Sequence, residues 1–214
     1  LVYAFNEQFV LPFSHDEVVH MKGSLANKMP GDLWKKFANW RLLLTLWMTH
    51  PGKKLLFMGQ EFATFSEWAV QKELDWYLLD QVEHQKQHRF FKDLAQVYRH
   101  HPALFQYDHD PKGFKWSIVD DHMQSVFAFI RYSDDEILVV VLNMTPNVHE
   151  TYEIGVPRAG RYQEILNSDK DIYMGSNQFN GTQLYTIKGQ KNDFKYYIKP
   201  KLGPLAGIIL QFKK

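Results

Sequence analysis

The 214-residue chain is 45% hydrophobic, which is enough to build the core of one large domain or two smaller ones. Its 25 basic and 24 acidic residues give a net charge of +1 with no block of like charge, which argues against nucleic acid or an anionic membrane as a partner. The lack of cysteine excludes disulfides and thiolate metal sites and predicts a cytoplasmic protein, and no apolar stretch approaches the roughly 20 residues that cross a bilayer.

The beginning of the chain predicts a strand, a helix and a second strand. A short apolar run over residues 9–13 is typical of a strand. Apolar side chains then recur on one helical face over residues 32–49, where Asp32 can cap the first turn. Pro51-Gly52 ends this helix, and residues 54–58 predict a short buried strand.

A second helix is predicted over residues 83–100, and its apolar face is formed by Phe91, Leu94, Val97 and Tyr98. Residues 59–82 have no clear period and predict a loop above the sheet. Because each strand is followed by a loop and then a helix, this half of the chain predicts two βα units with parallel strands.

Beyond about residue 112 the pattern changes to short runs of alternating or continuous apolar residues, separated by turn formers such as Asn180-Gly181 and Gly203-Pro204. About eight such runs are typical of an antiparallel β-sandwich. The predicted strands cover residues 114–118, 126–130, 137–142, 152–156, 162–166, 184–187, 194–198 and 205–212.

Polar and titratable side chains follow the first predicted strand directly, in the order Ser14-His15-Asp16-Glu17-Val18-Val19-His20. Parallel sheets present catalytic groups from this end of their strands. A zinc-protease site needs two histidines four residues apart on a helix, whereas His15 and His20 are five apart and about 140° from each other on a helical wheel, so we expect no metal site.

Two interpretations of this segment stay open. In the structural one, Ser14 or Asp16 caps a turn and His15 is merely packed. In the catalytic one, Asp16 is a glycosidase-type carboxylate and His15 binds sugar hydroxyls, because an oxocarbenium-like transition state needs negative charge and hydroxyl-binding groups around the anomeric carbon. Spacing alone does not separate them.

Several longer motifs resemble a known family. The segment Ser14-His15-Asp16-Glu17 resembles the last of the four short motifs of the α-amylase superfamily, which follows the seventh strand of its barrel. Over nearly the whole chain, longer strings resemble the C-terminal portion of glycogen branching enzymes: LPFSHDEVVHMKGSLANKMPGD, KKLLFMGQEFA, LDW at residues 74–76, YRHHPAL and DPKGFKW.

The resemblance implies roles for three residues. Asp16 matches the family's third carboxylate, which stabilises the transition state and holds the distorted sugar, and His15 is implied to bind sugar hydroxyls in the cleavage subsite. Glu61 resembles the polar residue after the eighth barrel strand and is implied to bind substrate or to support the residues that do, although glutamates at strand ends are also common structural anchors. Trp68 and Trp76 are candidates to line the glucan path, although packing in the core is the commoner role for such residues.

The same resemblance implies an architecture and an activity. Residues 1–106 are expected to form the last two βα units of a (β/α)8 barrel, and residues 107–214 an all-β C-terminal domain. The expected parent is a 1,4-α-glucan branching enzyme that cleaves an α-1,4 bond and passes the glucan to a 6-hydroxyl, without metal or organic cofactor. The family's nucleophile and acid/base lie on earlier barrel strands, so we expect this chain to be a fragment that is inactive by itself.

Two residues depart from the pattern of the family that the chain resembles. Met21 stands where a small residue is expected, and Gln60 where asparagine is common.

Because a barrel remnant has free strand edges, we expect the chain to self-associate through residues 1–60 or to pack against the β domain. The alternatives are a non-catalytic glucan-binding protein that uses its β domain, or part of an amylase or debranching enzyme of the same superfamily.

Overall fold

The structure is a computed structural model that describes residues 4–181 and 183–213. Its first half contains two strands, two longer helices and a one-turn helix. These elements are β1 (Val10–Phe13), α1 (Leu25–Lys28), α2 (Leu33–Thr49), β2 (Lys53–Leu56) and α3 (Val82–His100). No helix in the described part of the chain is long and apolar enough to cross a membrane.

Strands β1 and β2 pair in parallel, from Val10 opposite Lys53 to Phe13 opposite Leu56. Helix α2 connects them, as parallel pairing requires, and the predicted parallel arrangement is confirmed for this pair. Leu11, Phe13 and Leu56 contact the helices, whereas the alternate residues of both strands are exposed. The two-stranded sheet is therefore covered on one face.

The helices follow the sequence signals with one addition. Asp32 caps α2 by accepting a hydrogen bond from the backbone of Lys35 at 2.9 Å, as predicted. The predicted apolar face of α3 is confirmed, because Leu94 lies in the core and Phe91, Val97 and Tyr98 pack against it. The prediction omitted Phe90, which is fully buried one helical turn before Leu94. The predicted loop over residues 59–82 contains two 3₁₀ turns, Gln60–Phe62 and Trp76–Asp80.

The second half is an antiparallel β-sandwich, as predicted. One sheet has six strands in the order β3 (Phe114–Asp121), β4 (Val126–Tyr132), β5 (Ile137–Asn143), β11 (Ala206–Lys213), β7 (Arg161–Asn167), β8 (Leu184–Tyr185). The other has three, in the order β6 (Ile154–Val156), β10 (Phe194–Ile198), β9 (Ile187–Lys191). The single strand predicted over residues 184–187 divides at Thr186, where the chain passes from one sheet to the other.

The six-stranded sheet is buried on both faces, which explains the continuous apolar run of β5. Val139 and Val141 face the smaller sheet and pack with Ile154 and Val156. Their neighbour Leu138 points the other way, into a cluster with Leu166, Ile209 and the apolar side chains of α2 and α3. The helices therefore pack against the outer face of the sandwich, which is one of the two outcomes expected for them.

A buried ion pair lies at this junction. Arg131 on β4 is fully buried, and its Nη2 donates to the Oδ1 of the equally buried Asp108 at 2.9 Å. The same guanidinium donates to the backbone carbonyls of Leu104 and Gly113, each at 3.2 Å, and to that of Thr49 at the end of α2. Burial lowers the pKa of Arg131, while Asp108 opposes that shift. One side chain thus joins α2, the segment after α3 and the sheet.

Removing the carboxylate of this pair is expected to destabilise the whole chain. Asp108→Ala leaves a buried guanidinium without its counter-charge, and breaking a buried pair costs about 3–5 kcal/mol. The free energy of unfolding, measured by urea denaturation with circular dichroism, checks this. Asp110→Ala is the matched control, because Asp110 forms a solvent-exposed pair with Lys112. Equal losses for the two variants would contradict the assignment.

Candidate functional site at the end of strand β1

The chain leaves β1 through a capped 3₁₀ turn, His15–Glu17. The Ser14 hydroxyl accepts from the backbone N–H of Asp16 at 3.2 Å, and the Glu17 carboxylate accepts from the backbone N–H of Ser14 at 2.9 Å. This reciprocal pattern is a capping box. The structural interpretation is therefore right for Ser14, and Glu17, which it did not include, completes the cap. The Asp16 carboxylate contacts the cap only through the Ser14 hydroxyl, 3.4 Å from its Oδ2, and the His15 side chain takes no part in it.

His15 and Asp16 lie together on the surface. The His15 Nε2 is 3.3 Å from the Asp16 Oδ1, and the two side chains are 56% and 72% exposed. Lys22 returns toward the turn, where its Nζ donates to the backbone carbonyl of Asp16 at 2.6 Å. The imidazole also lies beside the ring of Phe57, with ring centroids 6.1 Å apart. A carboxylate and an imidazole are thus presented side by side and open to a ligand.

Glu61 occupies a different environment. It lies in the 3₁₀ turn after β2, half-buried, and among the described residues it forms no hydrogen bond with His15 or Asp16. Its charge acts on His88 of α3, where it opposes the lowering of the His88 pKa by burial and by Lys92. The structure therefore brings two of the three predicted site residues together, and substrate binding by Glu61 stays a prediction.

The two candidate tryptophans differ in their surroundings. Trp68 is half-buried and packs edge-on against Phe57, with centroids 5.4 Å apart, so it supports the ring that contacts His15. Trp76 is exposed on one side and packs against Phe62 at 5.4 Å on the other. Packing thus accounts for Trp68, whereas Trp76 presents an aromatic surface to solvent.

The loop that follows the site has an unusual backbone. His20 and Met21 both adopt positive φ, +58° and +66°, a region that favours glycine, and Gly23 follows at +68°. The Glu67 carboxylate accepts hydrogen bonds from the backbone N–H groups of Met21 at 3.0 Å and of Gly23 at 2.9 Å. Sequence reasoning missed Glu67, and the one local signal was Met21 standing where a small residue is expected.

Within residues 4–181 and 183–213, no three His, Asp or Glu side chains converge in a way that could hold a metal ion.

Comparison with known proteins identifies the relatives of the chain. Residues 116–213 match the family described as the alpha amylase C-terminal all-beta domain. The chain is 51% identical to a 1,4-alpha-glucan branching enzyme of Cellvibrio japonicus over 99% of its own length, and 50% identical over 99% and 100% of its length to those of Pseudomonas fluorescens and Pseudomonas syringae pv. tomato. The chain matches the C-terminal portion of 1,4-α-glucan branching enzymes.

The branching enzymes are much longer than this chain. The chain covers 29% of the Cellvibrio japonicus and Pseudomonas syringae proteins and 28% of the Pseudomonas fluorescens one. The family match to the all-β domain begins within β3 and ends with β11, so it coincides with the sandwich. The identity to branching enzymes continues through the helical half, which carries His15 and Asp16.

The strained backbone at Met21 generates a stability prediction. A left-handed conformation costs a non-glycine residue about 1–2 kcal/mol. Glycine avoids this cost but loses more backbone entropy, about 0.5–1 kcal/mol. Because the Met21 side chain is 97% exposed, little packing is lost, so Met21→Gly is expected to raise the free energy of unfolding by up to about 1 kcal/mol.

Thermal and urea denaturation check this prediction. Met123→Gly is the matched control, because Met123 is 83% exposed in a turn but does not adopt positive φ. The control is expected to lose stability, since glycine there adds entropy cost with no strain to relieve. A loss of stability in both variants would show that the Met21 backbone is not strained.

Proposed function

We propose that this chain supplies the transition-state-stabilising corner and the C-terminal β domain of a 1,4-α-glucan branching enzyme. Such an enzyme cleaves an α-1,4 bond of a glucan and transfers the released segment to a 6-hydroxyl. The observation that carries the proposal is the exposed His15–Asp16 pair at the C-terminal end of a parallel strand, in a chain 51% identical to a named branching enzyme. The cysteine-free sequence is in keeping with a cytoplasmic location.

We further propose that β1 and β2 are the last two strands of a (β/α)8 barrel formed by residues 1–106 with an upstream part of the enzyme, and that residues 107–214 are a separate domain. Parallel sheets are normally covered on both faces. Here the helices cover one face, while Val10, Pro12 and Leu55 are exposed on the other. In a closed barrel this exposed face is the interior, where side chains of neighbouring strands pack.

The proposed chemistry gives each residue a defined task. Retaining glycosyl transfer needs two carboxyl groups about 5–5.5 Å apart, one to attack the anomeric carbon and one to protonate the leaving oxygen. The neighbouring Glu17 is engaged in the cap, so we assign both roles to upstream residues of the parent enzyme. Asp16 then stabilises the positive charge that develops on the sugar ring, and His15 donates to a sugar hydroxyl. Glu61 is proposed to contact the substrate from the next strand.

A second candidate function is glucan binding by the β domain without catalysis. It draws support from Phe179 and Tyr185, two large aromatic side chains that the sandwich exposes. Aromatic rings with a polar partner are suited to stacking on sugars, and the Tyr185 hydroxyl donates to the Gln183 side chain at 2.6 Å.

If glucan binding by the β domain is the main function, Tyr185→Ala abolishes the retardation of the chain in amylose-containing native gels, whereas Asp16→Asn leaves the retardation and any activity unchanged.

The catalytic proposal predicts a loss of turnover in a chimera. This chain replaces the matching C-terminal region of the Cellvibrio japonicus enzyme, and branching is followed by iodine staining of amylose and by analysis of the α-1,6 linkages. Asp16→Asn removes the stabilising charge and is expected to lower kcat by roughly 10²–10³-fold. The 214-residue chain alone is expected to be inactive.

Asp80→Asn is the control for the chimera, because Asp80 is an exposed carboxylate at the end of a 3₁₀ turn away from β1. It is expected to keep full activity. Unchanged kcat for Asp16→Asn, or turnover of amylose by the chain alone, would refute the proposed role.

The open face of the two-stranded sheet predicts self-association of the isolated chain. Leu55 is 44% exposed on this face, and Leu55→Lys places a charge there, so the weight-average mass by sedimentation equilibrium is expected to fall toward that of a monomer. Ile187→Lys is the matched control, since Ile187 is 41% exposed on the β domain and its change is expected to leave the mass unaltered. If the unmodified 214-residue chain is monomeric at all concentrations, the proposed self-association is wrong.

A further inference from the structure

We propose that Glu67 is a positioning residue for the His15–Asp16 site, because its carboxylate clamps the backbone of the loop that follows Asp16. This inference rests on the proposed function for its catalytic meaning. The clamp itself is a geometric arrangement of this chain, and it joins residues 44 and 46 positions apart in sequence.

The first argument is the strain in the clamped loop. Two consecutive non-glycine residues, His20 and Met21, hold positive φ. Such conformations cost about 1–3 kcal/mol each and persist only where the surroundings determine them. Met21 is almost entirely exposed, so packing of its side chain does not supply the restraint. The two charge-assisted hydrogen bonds from the loop backbone to Glu67 do.

The second argument is the connection from Glu67 to the site. The next residue, Trp68, donates its backbone N–H to the carbonyl of Val18 at 3.0 Å, two residues after Asp16. Its indole packs edge-on against Phe57, and Phe57 lies beside the His15 ring. Glu67 and Trp68 therefore hold both the backbone after Asp16 and the aromatic support of His15.

The third argument is electrostatic. The backbone N–H groups of Gly23 and Met21 are the main reason that the pKa of Glu67 lies below its usual value, and the nearby His20 and Lys28 act in the same direction. A carboxyl with a lowered pKa is ionised at neutral pH, where a carboxylate accepts both bonds. The clamp is therefore complete at neutral pH, and it is lost as the pH falls through the lowered pKa of Glu67.

The clamp is tested first on the 214-residue chain, without reference to catalysis. In Glu67→Ala the amides of Met21 and Gly23 are expected to exchange with deuterium at least tenfold faster, and the His15 ring resonances to shift. In the unmodified chain these two amide resonances are expected to titrate together, with a midpoint below the ordinary pKa of a glutamate carboxyl group. Glu67→Gln keeps an acceptor oxygen and is expected to retain part of the protection. Unchanged exchange and unchanged His15 resonances in Glu67→Ala would overturn the inference.

Glu73→Ala is the matched control, since Glu73 is an exposed glutamate of the same loop. Its amide exchange and His15 resonances are expected to match those of the unmodified chain. In the chimera, Glu67→Ala is expected to lower kcat roughly 10²-fold with little change in KM, because displaced catalytic groups lose that much. If Asp16→Asn lowers kcat and Glu67→Ala does not, the positioning role fails while the proposed function stands. If Asp16→Asn has no effect, the proposed function fails, and amide exchange alone decides the clamp.

Discussion

The buried Arg131–Asp108 pair is the interaction on which the arrangement of the two halves depends. A two-stranded parallel sheet and two helices bury too little surface to be stable alone, and here their apolar side chains pack on the outer face of the six-stranded sheet. Apolar packing is not directional, so it does not fix how the helices sit on that face. A guanidinium with three carbonyl partners and one carboxylate is directional, and its desolvation makes every unmade bond costly.

Arg41 provides a second fixed point on the same helix. It is buried in α2, and its Nε donates to the backbone carbonyl of Ser168, just after β7, at 2.9 Å. Burial lowers the pKa of Arg41 to about 10, against the opposing effect of Asp169. Asp169 in turn accepts from the backbone and hydroxyl of Ser176, so the anchor belongs to an ordered loop. With its end held by Arg131 and its middle by Arg41, α2 has one orientation, and so have the two strands that it connects. The position of the end of β1, which leads into the turn that carries Asp16, is thereby set by contacts with the β domain.

The sequence predicts well those features that local patterns encode. The bounds of α2 follow from Asp32 and Pro51-Gly52, and the sandwich follows from short apolar runs between turn formers. The failures have a common cause, because they involve choices made by distant partners. The full burial of Phe90 in addition to the predicted face depends on the surface facing α3, and the division of the strand at Thr186 depends on two sheets that end there. Glu67 is the clearest case, since hydrogen bonds across more than forty residues leave no periodicity to read. His15 and Asp16 were selected by resemblance, because their spacing also allows a capped turn, and the turn is present.

The exposure of Asp16 bears directly on the catalytic role proposed for it. At 72% exposure the carboxylate is surrounded by water, where its interaction with a positive charge a few ångströms away is worth about 1 kcal/mol. In a site that excludes water the same charge is worth several times more, and this difference is what stabilises an oxocarbenium-like transition state. In the proposed barrel, the exposed apolar face formed by Val10, Pro12 and Leu55 is the surface on which the other strands close and remove that water. A carboxylate and an imidazole held at a strand end by a capping box, an aromatic support and a backbone clamp are thus placed before the solvent is removed. The geometry of this corner is built into the chain, whereas the catalytic strength proposed for it depends on the surfaces that cover it.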